Sequence, residues 1–281
     1  MDTVARTLAS ALTPRLGQQV IADNRPGAGG TIAASFVARA PADGHTLILG
    51  TAPTLALNVS LYKSLPYDPI RDFVPVSLIG AQDLVLLIHP SIPAKSVKEL
   101  LAIARRSPGQ LSYASAGNGT VSHLAGELLS KLAGIQLLHV PYKGSAAFMV
   151  DVISGQVSMT FNSLLSSKPH VTTGKVRALA VSGTRRAAVF PELPTMAEAG
   201  VRGFEATTWY GVLVPAGTPQ DIVARLNTEL LAVLKQPETI ERLTRDGIVG
   251  VGTSPQAFAR FIRDEIDKWR QVIRGAGIEP L

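Results

Sequence analysis

The sequence predicts an α/β protein of two lobes, with parallel-dominated sheets and flanking helices. Three observations predict it. Apolar runs of strand length alternate with segments of helical periodicity along the whole chain, the pattern that lays helices over largely parallel sheets. The 281 residues, 46% of them hydrophobic, suffice for two domains of ordinary size. No low-complexity linker divides the chain, so two domains must be joined by strands that cross between them. Residues 84–90 and 209–215 are the candidate crossovers, each an apolar run ending in proline. The expected organisation is a discontinuous lobe 1, residues 1–90 and 209–281, and a lobe 2 of residues 91–208.

Each element has its own signal. Val4, Leu8, Ala11, Leu12 and Leu16 recur at helical spacing, and Gly17 stops that helix. Val20-Ile21-Ala22 reads as a short strand. Asn24-Arg25-Pro26-Gly27-Ala28-Gly29-Gly30 is a glycine-rich loop, and Thr31 then opens a helix to about Ala40. Pro41-Ala42-Asp43-Gly44 is a turn, followed by Thr46-Leu47-Ile48-Leu49-Gly50, an apolar run of the kind buried on both faces. Residues 74–79 and 84–88 read as two strands. Ser96 and Glu99 form a capping box. Leu111-Ser112-Tyr113-Ala114-Ser115 is a strand. It feeds the loop Ala116-Gly117-Asn118-Gly119-Thr120 and a helix carrying Leu124, Leu128, Leu129 and Leu132, ended by Gly134. Strands follow at 137–140, 157–161 and 178–181. Thr195 and Glu198 form a second capping box. After the strand at 209–214, helices at 219–235, 237–245 and 255–274 each open on a proline.

Composition excludes several classes. There is no cysteine, hence no disulfide, thiolate metal site or cysteine nucleophile. The formal charge is +6, but the longest basic runs are the pairs Arg105-Arg106 and Arg185-Arg186, and the other bases are interleaved with acids. A nucleic-acid binder gathers its bases on one face, so no nucleic-acid partner is expected. No stretch reaches the ~18 apolar residues of a membrane span.

The most informative segment is Tyr113 through His123, where a strand runs into a glycine-rich loop and a helix start. Glycines let a ligand approach the backbone, and free amides at the positive end of a helix attract an anion. Ser115, Asn118 and Thr120 add short hydrogen-bonding side chains. The same residues also fit a tight turn with Thr120 as a plain N-cap. The loop is not a dinucleotide site: the third glycine is missing and no acid stands about twenty residues on. Ser60-Leu61-Tyr62-Lys63 matches S-x-x-K without its partner motifs. His123 and Glu127 share a helix face, but nothing completes a metal set, and His45, His89, His139 and His170 are scattered. Tyr142, Lys143, Asn162, Ser163, Trp209 and Tyr210 adjoin strand ends, where ligands of open α/β sheets bind; ordinary packing explains them equally.

Seven segments in register resemble the receptors of tripartite tricarboxylate transporters, also called Bug receptors. They are the Asn24 to Gly30 loop; Ala40-Pro41-Ala42-Asp43-Gly44-His45-Thr46-Leu47, where the family usually has Tyr at the histidine; Leu65-Pro66-Tyr67-Asp68-Pro69; Tyr113 to Thr120; His139-Val140-Pro141-Tyr142-Lys143-Gly144; Leu193-Pro194-Thr195 with Glu198-Ala199-Gly200; and Pro215-Ala216-Gly217-Thr218-Pro219. The likeness covers essentially the whole chain. It implies a type II-like periplasmic binding protein, two α/β lobes with a ligand cleft between them. The implied function is to bind a small carboxylate and deliver it to the transporter's membrane subunits. Backbone amides, hydroxyls and water would hold the carboxylate, with no cofactor, metal or catalysis, in a monomer. The family's contact regions map onto Asp2, Thr51, Ala116, Gly117, Asn118, Gly119, Thr120, His123 and Asn162; relatives often carry an acidic or small residue where Asn162 stands. With Ser115 these are the expected ligand-binding residues. The alternative is an α/β hydrolase using Ser115 or Ser60, against which stands the lack of a nucleophile–base pair at a known spacing. The resemblance also implies a signal peptide and a first lobe-1 strand ahead of the loop acid that Asp2 matches, so the expectation is a longer, exported natural protein.

Overall fold

A computed structural model describes residues 1–280. In chain order the elements are α1 (Asp2–Leu16), a 3-10 turn (Ala28–Gly30), α2 (Thr31–Ala38), β1 (Ile48–Thr51), a π-helical turn (Pro53–Leu57), α3 (Asn58–Leu61) and β2 (Phe73–Ile88). Next come α4 (Val97–Arg106), β3 (Ser112–Ser115), α5 (Val121–Ala133), β4 (Leu138–Pro141), α6 (Ser145–Ser154), β5 (Met159–Ser163), α7 (Leu164–Thr172) and β6 (Arg177–Val181). The chain ends with β7 (Thr207–Pro215), α8 (Gln220–Val233), α9 (Pro237–Arg245), β8 (Val249–Gly250) and α10 (Pro255–Gly275).

The chain divides into two compact units. Unit 1 comprises Met1–Ala81 and Trp209–Gln271 with Glu279 and Pro280; unit 2 comprises Gln82–Thr208 and Val272–Ile278. The expected division at residue 90 lies inside unit 2, because Leu84 to Ile88 pair with β5 and β6. Where two strands were expected at 74–79 and 84–88, β2 runs unbroken for 16 residues. Its middle stays extended because Gly80 and Ala81 pair with Gly250 and Val249 of β8. A Cβ on Gly80 would lie 2.6 Å from the Val249 carbonyl, so this pairing needs glycine.

Unit 1 buries Val4, Leu8 and Leu12 of α1 against Val76, Ile79, Val212 and Val214 of the strands and Val223, Leu226, Leu230 and Leu243 of α8 and α9. Helix α1 stops at Gly17, in the left-handed conformation (φ 69°), whose N–H donates to Thr13 O. Val20-Ile21-Ala22, expected as a strand, pairs with no strand among the described residues: Ile21 is 77% exposed, and the Val20 amide bonds the Thr13 hydroxyl. Unit 2 packs Val85, Leu87, Ala114 and Val181 under Phe148, Met149, Val152 and Leu164.

The strand order is β1-β7-β2-β5-β3-β4, with β6 and β8 also on β2. The expectation of parallel-dominated sheets is corrected here to mixed ones. β1 on β7 is antiparallel, as are β5, β6 and β8 on β2. β3 pairs in parallel with β4 and β5, where α5 and α6 supply the crossovers that parallel neighbours require.

Candidate ligand-binding site

In unit 2, β3 carries its chain to the N-terminus of α5 through Ala116 to Thr120. Gly117 and Gly119 adopt φ 128° and 73°, which a side chain would strain. The loop is held by its own side chains. The Thr120 hydroxyl donates to Gly117 O (2.7 Å) and caps α5 by accepting from His123 N (3.4 Å). Ser122 Oγ accepts from Ala116 N (3.0 Å), Ser115 Oγ from Gly117 N (3.2 Å), and His123 Nδ1 from Gly119 N (3.0 Å). The Thr120 amide donates to Gly117 O (3.3 Å), so four of the five loop amides are occupied. The expectation that the whole loop backbone offers donors narrows to the amides of Asn118, Val121 and Ser122, which meet no protein acceptor among the described residues.

Beneath the loop lies a stacked column. The rings of His123 and His139 are 3.9 Å apart and 15° from parallel, and His139 stacks on Tyr113 at 4.9 Å. Burial pushes His123 down to about 4, with the adjacent His139 adding to the effect; burial lowers His139 as well. The Tyr113 hydroxyl donates to Glu127 Oε1 at 2.5 Å, and burial first, then this bond, raises its pKa. Gly126 lets α5 close on that ring: a Cβ there would lie 2.2 Å from Tyr113. Sequence reasoning left His139 among scattered histidines. The parallel register that sets it opposite Tyr113 is non-local, and only the strand-end position of His139 hinted at it.

Ser115 Oγ and His139 Nε2 are 2.7 Å apart, a nucleophile–base distance. The serine is fully buried and its hydroxyl also engages the backbone of Gly117, so the pair braces the loop. No carboxylate among the described residues hydrogen-bonds His139 to complete a triad.

Asn162 lies in the same unit, buried on β5 opposite Val85. Its amide donates to Ser166 Oγ and Ser167 Oγ, both at 3.2 Å, tying β5 to the first turn of α7. A carboxylate could not make those donations, which accounts for asparagine here.

Asp2 and Thr51 belong to unit 1. Asp2 is exposed and accepts from Arg6 Nε (2.9 and 3.0 Å) and Asn24 Nδ2 (2.5 Å). Asn24 and Arg6 together hold its carboxyl below the usual range. The contact ties the Asn-Arg-Pro-Gly loop to the start of α1, and the Arg25 guanidinium lies 3.5 Å over the Phe36 ring. Thr51 is buried at the end of β1, where its N–H donates to Thr54 Oγ1 (2.8 Å) and its carbonyl accepts from that hydroxyl (3.0 Å). The Tyr67 hydroxyl, pushed up to about 12 by burial, donates to Thr54 O at 2.6 Å, and Asn58 Nδ2 donates to Gly29 O at 3.2 Å. Sequence reasoning missed Thr54, Asn58 and Tyr67. Their shared feature is the irregular turn after β1, a conformation frequent at functional sites.

The family described as tripartite tricarboxylate transporter family receptor matches residues 4–278. The structure of R. palustris Rpa4515 with adipate is 41% identical, covers 100% of this chain and 94% of that one, and superposes with a TM-score of 0.81. The periplasmic binding protein BugD is 35% identical over 100% of this chain and 94% of its own, TM-score 0.77. MatC from Rhodopseudomonas palustris, with bound malate, is 35% identical over 97% and 94%, TM-score 0.76. These relatives are substrate-binding receptors and not enzymes. The chain belongs to the tripartite tricarboxylate transporter receptor family.

Proposed function

We propose that this protein is a periplasmic receptor that binds a small carboxylate-bearing ligand and delivers it to the membrane subunits of a tripartite tricarboxylate-type transporter. The observation that carries the ligand class is the start of α5. The amides of Asn118, Val121 and Ser122 are open, they lie at the positive end of the helix dipole, and residues 115–122 bear hydroxyls and an amide but no charged side chain. Neutral dipoles suit an anion that must also leave again. Asn118 and Thr120 are the direct polar contacts in this reading, with Ser115, Gly117, Gly119 and His123 setting the loop. Asp2, Thr51 and Asn162 are further contacts or their supports. The relatives holding adipate and malate support a ligand with two carboxylates. A thermal-shift screen against mono-, di- and tricarboxylates tests this, because a ligand at 100 times its Kd stabilises the native state by about 2.7 kcal/mol. The expected result is a midpoint rise with at least one dicarboxylate. Stabilisation by neutral or cationic solutes only would sink the reading.

A further inference from the structure

We propose that His123 and His139 form a proton-sensitive positioning pair for the loop between β3 and α5: as neutral stacked rings they hold it ready for ligand, and protonation of His123 releases it. The proposal rests on the reading of this loop as the carboxylate-binding element.

The geometry specifies the protonation state of His123. The Gly119 amide donates to His123 Nδ1 at 3.0 Å, so this nitrogen bears the lone pair and the ring's proton is on Nε2. A second proton would set N–H against N–H at that distance. His139 Nε2 shares a 2.7 Å hydrogen bond with Ser115 Oγ, the oxygen that also accepts from Gly117 N. The two rings therefore fix the peptides of Gly117 and Gly119, and these flank Asn118, whose amide is open. Freeing either peptide re-aims that amide and the helix start behind it.

The surroundings oppose charge on the pair. The rings stack at 3.9 Å, His123 buried and His139 half-buried, so a proton on one disfavours a proton on the other. The groups facing them are Tyr113 and Ser115 from β3, and Thr120, Ser122 and Glu127 at the start of and along α5. Thr160 of β5 bonds Ala114 O, and Asp151 of α6 is engaged by the Tyr142 hydroxyl. Glu127 Oε1 lies 3.8 Å from His123 Nε2, but the same oxygen accepts the Tyr113 hydroxyl at 2.5 Å. Burial and the second ring outweigh it, so His123 stays neutral until the pH falls toward about 4. Acid therefore loosens the loop, and neutral pH sets it.

The test has two arms on the full chain. In the first, amide NMR follows Gly117 and Gly119 of the ligand-free, 15N-labelled protein from pH 7.5 downward, alongside the imidazole resonances. The Gly119 amide should titrate with the His123 ring. His123→Asn places a non-titrating side-chain oxygen near the Nδ1 position and should abolish the titration at Gly119. In the second arm, calorimetry measures adipate affinity across the same range, each protein normalised to its own value at pH 7.5 and then compared as a ratio, which cancels the titration of adipate itself. Relative to His123→Asn, the wild type should bind about twofold more weakly at the midpoint of its Gly119 titration, and about tenfold more weakly one pH unit lower, in proportion to the competent fraction. A Gly119 amide that ignores the His123 titration would overturn the proposal, as would identical pH profiles of wild type and His123→Asn. If adipate fails to bind the wild type at every pH, the ligand reading suffers, and the ligand-free titration alone decides the positioning role.

Discussion

Removing one hydroxyl at the start of α5 probes both the fold and the ligand reading. Thr120→Val keeps shape and volume but deletes the donor to Gly117 O at 2.7 Å and the acceptor for His123 N at 3.4 Å. Loss of an N-cap costs about 1 kcal/mol, and the bond to Gly117 O adds about 0.5–1.5 kcal/mol. The expected destabilisation is about 1.5–2.5 kcal/mol, read as a lower urea midpoint with an unchanged denaturant slope. The affinity effect is separate. Gly117 O loses the bond that fixes the turn, so Asn118 and the open helix-start amides lose their aim. Binding should weaken by about 1–2 kcal/mol, five- to thirtyfold, in calorimetry against whichever dicarboxylate the screen identifies. Thr120→Ser restores the hydroxyl and should recover most of both losses. If Thr120→Val binds as tightly as the wild type, the ligand lies elsewhere. If its stability is also unchanged, the capping argument is wrong too.

Three other substitutions test other parts of the account. Glu265 is buried and accepts from Trp209 Nε1 (2.8 Å) and Trp269 Nε1 (3.0 Å) while pairing with Lys268; Glu265→Leu strands two indole N–H groups and should cost about 2–5 kcal/mol by tryptophan-monitored unfolding, whereas a cost under about 0.5 kcal/mol would mean the indoles find other acceptors. Gly126→Ala drives a methyl into the Tyr113 ring and should cost about 1–3 kcal/mol, with near-UV dichroism reporting the displaced tyrosine; an unperturbed spectrum would count against the packing. Asn162→Asp buries a carboxyl at a site that supplies hydrogen-bond donors to Ser166 and Ser167. Its folded pKa should rise above the unfolded ~3.9, so the cost, about 1–3 kcal/mol, is small at pH 4 and grows as pH rises to 7.5; a pH-independent urea midpoint difference would refute that burial.

The sequence by itself determined what depends on neighbours along the chain. Helix stops at Gly17 and Gly134 and the cap at Thr120 are local signals, and each is found where the residues imply it. So is the cap at Ser96, whose hydroxyl accepts from Glu99 N. The glycine loop before α5 was legible for the same reason: positive φ and a helix start are properties of a few consecutive residues. Local signals also overreach. Thr195 and Glu198 make both capping bonds, at 3.0 Å each, yet the chain forms only a turn, because Gly200 leaves the helical region at φ 102° before a second turn can build. Val20 to Ala22 has strand propensity and no partner, and propensity without a ladder makes no strand. Strand direction, the single long β2, the pairing of Ser115 with His139 and the occupancy of four loop amides were decided only by the tertiary structure. Each joins residues across a register that no short window contains, so its energy appears only when distant segments meet.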